Sequence, residues 1–213
     1  MDVKRSNVDV KQDDLGKGYG KDYLSWKKWG DSEFGNLRKY QLTYYAAEIT
    51  KTERAFVEGS QVLEIGFGNG SFLNFASKND WKVVGTEVND DLVQSALSEG
   101  YDVMHTDNLR EFKDNTFDLI VAFDVLEHLA QDEIVMMLSE INRVLKNEGC
   151  FVARFPNGDS PFGLINQNGD ITHITSIGSA KARYLADRVN MQLMFVGGEA
   201  LPILRTSLRH FMH

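Results

Sequence analysis

The chain has 213 residues, of which 42% are hydrophobic and 25% are charged, a balance typical of one soluble globular domain. Its formal net charge of −8 supplies no basic field to neutralise a phosphate backbone, so a nucleic-acid partner is disfavoured. The single cysteine excludes an internal disulfide, and no apolar run reaches the roughly 20 residues of a membrane span. We therefore expect a cytoplasmic protein without stable membrane insertion.

The N-terminal part is polar and differs in composition from the rest of the chain. Residues 1–20 predict a flexible arm, and residues 21–213 predict a single domain. Within that domain we expect N-terminal helices over residues 21–55. One of them is predicted from Glu33 to about Lys51, because apolar residues recur there at helical spacing. The oligomeric state stays open.

Strand and helix signals alternate through the predicted core, residues 56–198. The predicted strands are Gln61–Ile65, Trp81–Val88, Asp102–His105, Phe117–Phe123, Cys150–Phe155 and Gln192–Val196. The predicted helices are Ser71–Lys78, Asp90–Ser98, Gln131–Lys146 with Gly149 as its cap, and Ser179–Val189. This alternation predicts an α/β, Rossmann-like, doubly wound and mostly parallel sheet with helices on both faces and an N-terminal helical extension.

Three glycines on alternate positions, Gly66, Gly68 and Gly70, follow the first predicted strand. Such a turn lets the backbone approach a ligand without Cβ contacts, although a tight strand–helix connection shows the same pattern. Glu87 ends the second strand 21 residues after Gly66, where a carboxylate can accept both ribose hydroxyls of an adenosine. Asp107 follows the third strand and can accept from the adenine amine. These strand ends predict a nucleoside site at the carboxyl edge of the sheet.

From about Gln61 to Phe155 the chain resembles the class I S-adenosylmethionine-dependent methyltransferases, on the turn after Leu63 and the motif Phe123–Leu129. The resemblance implies S-adenosylmethionine as the cofactor. It also implies that Glu64 supports the methionine end, and that Phe67 replaces a residue that is often cysteine. The cofactor-binding residues implied in this way are Glu64, Gly66, Phe67, Gly68, Gly70, Glu87, Val88, Asp107, Asn108, Phe123 and Asp124.

Two downstream segments, Arg154–Gly163 and Gly169–His173, are similar to methyltransferases of bacterial surface-polysaccharide pathways. This resemblance implies O-methylation of a sugar or sugar nucleotide in glycan biosynthesis. The alternatives are another small metabolite or a lipid-linked acceptor, and a non-catalytic S-adenosylmethionine-binding or NAD-binding Rossmann protein. A nucleobase acceptor is disfavoured, because no Asn- or Asp-Pro-Pro-aromatic turn comes after Phe123.

Transfer to a hydroxyl gains from a general base, and three residues are candidates for that role. His173 is the first, since it lies in the loop predicted to cover the acceptor; a loop histidine bonded to backbone is the alternative. His128 is the second, with orientation of the cofactor edge as its other role. Asp124 could share a proton with either histidine. No metal site is predicted.

The C-terminal residues 201–213 alternate apolar and basic groups and predict a helix. The resemblance leads us to expect a seventh, antiparallel strand, but this segment offers a helix in its place. We expect either a helix docked on its own domain or a peripheral membrane contact.

Overall fold

The computed structural model describes Lys27, which is helical, and residues 34–198. The predicted arm over residues 1–20 lies outside the described residues, as does the helix predicted over residues 201–213 in place of the family's seventh strand. These two expectations stay predictions.

Strands and helices alternate along the described chain. The strands are β1 (Gln61–Ile65), β2 (Lys82–Glu87), β3 (Val103–His105), β4 (Phe117–Phe123) and β5 (Leu145–Arg154). The α-helices are α1 (Lys39–Thr50), α2 (Ser71–Lys78), α3 (Asp90–Ser98), α4 (Gln131–Val144), α5 (Gly163–Gly169) and α6 (Ser179–Arg188). A short 3-10 helix, Leu126–His128, lies after β4.

The five strands lie in the order β3-β2-β1-β4-β5, and each pair is parallel. Leu63 of β1, for example, lies opposite Val84 of β2 and Ile120 of β4. The strand order reverses between β1 and β4, and ligands of doubly wound sheets bind at such a point, outside the carboxyl ends of the strands. The predicted Rossmann-like α/β fold is confirmed.

Both faces of the sheet are buried, and successive residues of the central strands serve opposite faces. Leu63 and Ile120 belong to one core cluster, which α4 and α6 cover. Val62 and Leu119 belong to the other, which α1 and α2 cover. Burial on two sides explains why β4 is apolar without interruption from Leu119 to Phe123.

The sixth predicted strand, Gln192–Val196, does not form; residues 191–198 have no regular secondary structure. The Lys51 ammonium donates a hydrogen bond to the Gly198 carbonyl at 3.0 Å and lies 4.9 Å from the centre of the Phe195 ring. Because these contacts hold the segment at the end of α1, it does not pair with β5.

Three further predictions differ from the structure. The first helix begins at Lys39 rather than Glu33, after a turn in which Gly35 has a φ of 71°. Gly149 does not cap α4, because the chain is already extended at Leu145 and the glycine lies inside β5. An added Cβ at Gly149 would lie 2.8 Å from Leu145 Cγ, so the glycine makes room for that side chain. Helix α5 occupies a segment for which the sequence predicts a loop.

Among the described residues, no helix combines the length and the apolar character that crossing a membrane requires.

Candidate functional site

The turn between β1 and α2 lies at the point where the strand order reverses. Gly66, Gly68 and Gly70 have φ values of 66°, 53° and 75°, in the left-handed region that favours glycine. The Gly66 N–H donates to the carbonyl of Thr86 on β2 at 2.8 Å, which ties the turn to the neighbouring strand. The three glycines and this bond to β2 together set the path of the backbone here.

Two of these glycines also allow close packing. An added Cβ at Gly66 would lie 2.7 Å from Val125 Cγ2, and one at Gly70 would lie 2.3 Å from the Phe34 ring. Val125 belongs to the segment after β4, so that segment lies directly against the glycine turn. The predicted cofactor side and acceptor side of the site are thus in contact.

Glu87 lies at the end of β2, where its carboxylate is held by backbone N–H groups. Its Oε2 accepts from Gly68 at 3.1 Å, and its Oε1 accepts from Val88 at 2.7 Å and from Asn89 at 3.1 Å. A carboxylate offers about four lone-pair sites, so these bonds within the described chain leave about one, on Oε2. That Glu87 accepts the ribose hydroxyls stays a prediction.

Glu64 is a buried carboxyl on β1, 4% exposed. Burial raises its pKa well above the usual value near 4.5, and the charge of Glu87 raises it further, while a backbone hydrogen bond from Leu73 lowers it. Its Oε2 has no hydrogen-bond partner among the described residues. A carboxyl in this position is suited to a positively charged ligand group.

Two aromatic residues predicted at the cofactor site pack within the protein. Phe67 is 3% exposed and meets Phe34 edge to face, with ring centroids 6.1 Å apart. Phe123 ends β4 within an aromatic group that includes Tyr45 and Phe72, each with a centroid 5.4 Å away. Neighbouring Tyr45 donates to or accepts from Ser71 Oγ at 2.7 Å, and burial raises the pKa of its phenol to about 12.

The remaining residues predicted to bind the cofactor are exposed. Val88 is 39% exposed at the end of β2. Asp107 and Asn108 lie after β3, and the Asn108 amide donates to Asp107 Oδ1 at 3.1 Å. These three residues line the same carboxyl edge as the glycine turn.

Asp124, one of the three candidate bases, is paired with an arginine. It has a φ of 58°, and its carboxylate accepts two hydrogen bonds from the Arg154 guanidinium, of which the one from Nε is 2.9 Å long. The guanidinium also lies 5.3 Å from the ring centroid of Tyr44 and 5.4 Å from that of Phe123. This arrangement pairs Asp124 with an arginine of β5, and a proton shared with either histidine stays a prediction.

His173 and His128, the other two candidates, are brought together with two carboxylates. His173 Nε2 lies 3.8 Å from Glu127 Oε1 and 3.6 Å from Asp170 Oδ2. The two imidazole rings meet edge to face with centroids 4.5 Å apart. The side chains of His173 and Glu127 are only 7% and 1% exposed. We call Glu127, His128, Asp170 and His173 the histidine–carboxylate cluster.

Backbone contacts join the two segments that carry this cluster. The N–H groups of Ile174 and Thr175 donate to the Glu127 carbonyl at 2.9 and 3.0 Å. The Thr175 hydroxyl donates to the Leu129 carbonyl at 2.6 Å. The chain around His173 is therefore fixed to the segment after β4, which itself contacts the glycine turn through Val125.

Three residues of this region, Glu127, Asp170 and Thr172, are not among the residues that the sequence predicts as functional. Glu127 precedes His128 directly, and Asp170 and Thr172 belong to the segment that ends at His173. The available signal is two short groups of polar residues around the predicted histidines. Sequence alone does not show that these two groups lie close together in the folded chain.

Comparison with known proteins finds that these elements are similar to methyltransferase domains. Residues 63–153, from β1 into β5, match the family model described as a methyltransferase domain. An uncharacterized protein of Methanocaldococcus jannaschii is 29% identical over 141 residues, covering 63% of this chain and 60% of that protein. A tRNA (uracil(54)-C(5))-methyltransferase of Pyrococcus furiosus is 32% identical over 89 residues, covering 41% of this chain and 22% of that protein. Each match thus spans less than two thirds of the relative.

A solved structure has the same fold over most of the chain. The S-adenosylmethionine-dependent methyltransferase of Archaeoglobus fulgidus superposes with a TM-score of 0.67 at 19% identity. The superposition covers 89% of this chain and 90% of that one. At this identity the likeness concerns the fold.

Proposed function

We propose that the chain is a class I methyltransferase with S-adenosylmethionine as its cofactor, and that it methylates a hydroxyl group of a small, sugar-containing acceptor. The observation that carries the proposal is the histidine–carboxylate cluster beside the carboxyl end of β4. A hydroxyl is a poor nucleophile while protonated, so this reaction gains from a group that accepts its proton. The resemblance of Gly169–His173 to polysaccharide methyltransferases supports a sugar.

On the cofactor side, we propose that the glycine turn packs against the ligand and that Glu87 Oε2 accepts one ribose hydroxyl. Glu64 then lies under the methionine end, where its carboxylate balances the positive charge of that part of the cofactor. Asp107 and Asn108 contact the adenine. The resemblance to the class I methyltransferases implies the role of Glu64, and the other residues lie at the carboxyl edge of the sheet, where such folds bind ligands.

On the acceptor side, bound S-adenosylmethionine would supply an activated methyl group to the hydroxyl oxygen and would leave as neutral S-adenosylhomocysteine. The proton of the hydroxyl passes to Nε2 of His173. Glu127 and Asp170, with oxygens 3.8 and 3.6 Å from that nitrogen, stabilise the imidazolium that forms. Holding donor and acceptor in line supplies roughly 7–11 kcal/mol of the barrier, and the base adds about 10²–10⁴-fold.

An acceptor screen tests this proposal. The full chain is incubated with methyl-labelled S-adenosylmethionine and separate pools of neutral sugars, sugar nucleotides, other hydroxyl metabolites and lipid-linked sugars. We expect label in a sugar pool, at an oxygen. Label in another small metabolite or a lipid-linked sugar would support methyltransferase activity but would contradict the small sugar acceptor. Cofactor binding without transfer to any pool favours a binding protein.

Transfer RNA is included in the screen because of the Pyrococcus furiosus relative. The similarity to that tRNA methyltransferase covers only 22% of its length, and a chain with net charge −8 neutralises few phosphates. We therefore expect no label in tRNA. Label on a tRNA base would contradict the hydroxyl acceptor.

A further inference from the structure

We propose that Glu127, His128 and His173 bind one divalent transition-metal ion. Each of the three offers a ligand atom, and the three atoms lie within 4.8 Å of one another. Two imidazole nitrogens and one carboxylate oxygen form a donor set that suits zinc, ferrous iron and manganese. This inference goes beyond the proposed function, because it concerns ion binding and holds whatever the acceptor is.

The three ligand atoms lie further apart than the ligands of a filled coordination site. Ligands about 2.0–2.2 Å from a tetrahedral ion lie roughly 3.4 Å from one another. His173 Nε2 is 3.8 Å from Glu127 Oε1, so a shift of a few tenths of an ångström places both at bonding distance. Asp170 Oδ2, 3.6 Å from the same nitrogen, adds a negative charge beside the site.

His173 provides a second, independent observation. Its side chain is 7% exposed, and neither ring nitrogen has a hydrogen-bond partner among the described residues. A buried imidazole without such partners loses the bonds that it made to water, which is unfavourable. A metal ion bound to Nε2 replaces one of those lost interactions.

A hydrogen-bond chain orients the other imidazole. The Thr172 hydroxyl has one proton, which it donates to Asp170 Oδ1 at 2.6 Å, and the Thr172 N–H donates to the same oxygen at 2.9 Å. The hydroxyl oxygen lies 2.9 Å from His128 Nδ1, so it accepts the proton that Nδ1 carries. Nε2 of His128 then holds the lone pair, as a metal ligand must. Carboxylates and hydroxyls commonly fix the tautomer of ligating histidines in this way.

The ion would lie where it can act on the acceptor hydroxyl. Only this role of the ion depends on the proposed function. Because the ion takes the Nε2 lone pair, His173 accepts the proton only in the metal-free chain. In the metal-bound chain an acceptor hydroxyl on the ion loses its proton more readily than one in water, and water takes that proton. Two ligands of the ion, Glu127 and His128, belong to the segment after β4. That segment contacts the glycine turn through Val125 and Gly66.

Metal titration tests the site without any acceptor or cofactor. The full chain is stripped with a chelator, and Zn²⁺ and, separately, Mn²⁺ are titrated by calorimetry with metal content checked by mass spectrometry. We expect one ion per chain, and a rise in melting temperature when it binds. Absence of binding of both ions would overturn the proposal, while a failed acceptor screen would leave it intact.

Variants locate the ion, and the controls use the other histidines of the chain. His173→Ala and Glu127→Gln should each lower the affinity at least 100-fold. Thr172→Val keeps all three ligands and should lower it about 10–100-fold, which covers the case in which His173→Ala does not fold. His105→Ala is the matched control, since His105 also lies beside a carboxylate, 3.2 Å from Asp90, but is exposed. His210→Ala/His213→Ala removes the two C-terminal histidines. Unchanged affinity in the first three variants, or loss in either control, would assign the ion elsewhere and overturn the proposal.

Discussion

The cofactor side and the acceptor side of the site are built in different ways. On the cofactor side, backbone groups set the geometry: three glycines turn the chain, and backbone N–H groups of Gly68, Val88 and Asn89 hold the Glu87 carboxylate. On the acceptor side, side chains from segments 45 residues apart meet, as His128 and His173 do. A site built from backbone groups can be predicted largely from local sequence, whereas a cluster of side chains depends on tertiary packing.

The largest effect is expected on the acceptor side. With an acceptor in hand, His173→Ala should lower kcat by about 10²–10⁴-fold and leave cofactor affinity nearly unchanged, because His173 acts on the proton and does not hold the nucleoside. Steady-state kinetics with the labelled cofactor measure both quantities. A raised KM with unchanged kcat would show that His173 binds the acceptor in ground and transition states alike. That result would contradict its role as the base and return this role to His128 or Asp124.

A smaller effect, on stability, is expected at the glycine turn. Gly70→Ala puts a Cβ 2.3 Å from the Phe34 ring at a φ of 75°, and should destabilise the fold by about 2–4 kcal/mol. Gly100→Ala is the matched control, since Gly100 has a φ of 82° but open space around it, and should cost roughly 1 kcal/mol. Urea unfolding of both variants measures the difference. Equal costs would show that Phe34 moves away and that close packing does not constrain this turn.

The smallest expected effect concerns Glu64 and pH. Because burial raises its pKa in the folded chain, its contribution to stability is fully present below about pH 4.5 and is lost as the pH rises through the folded-state value. Glu64→Gln cannot ionise, so the variant should gain stability relative to the parent as the pH rises from 4 to 8. Urea unfolding across that range is the measurement, with exposed Glu111→Gln as the control. A difference that stays constant with pH would contradict a raised pKa.

Local sequence predicts most of the fold. The bounds of β1, α2, α3 and β4 agree with the structure, because apolar periodicity and capping residues are local signals. Asn89, for example, accepts from the Leu92 N–H at 3.0 Å and so begins α3. The predicted strand Gln192–Val196 is wrong for the opposite reason: its apolar pattern fits a strand, but contacts of Lys51 keep it away from the sheet.

The same distinction applies to the site. The glycines and Glu87 can be placed from spacing alone, since parallel strands end at one edge of the sheet. The pairing of Asp124 with Arg154, 30 residues later, cannot, because it depends on the register between β4 and β5. Nor can sequence show that His173 is buried beside Glu127 and Asp170 rather than exposed in a loop.

Calorimetric titration of S-adenosylhomocysteine into the parent chain, Glu87→Gln and His173→Gln tests most directly whether Glu87 serves the cofactor and His173 the acceptor. The measurement needs no acceptor. We predict that Glu87→Gln weakens binding at least tenfold, because a neutral amide is a poorer partner for both the ribose hydroxyl and the backbone N–H groups of the turn. We predict that His173→Gln binds within about twofold of the parent, since the histidine–carboxylate cluster serves the acceptor. Parent-like affinity in Glu87→Gln, or a tenfold loss in His173→Gln, would contradict the assignment of the two sides.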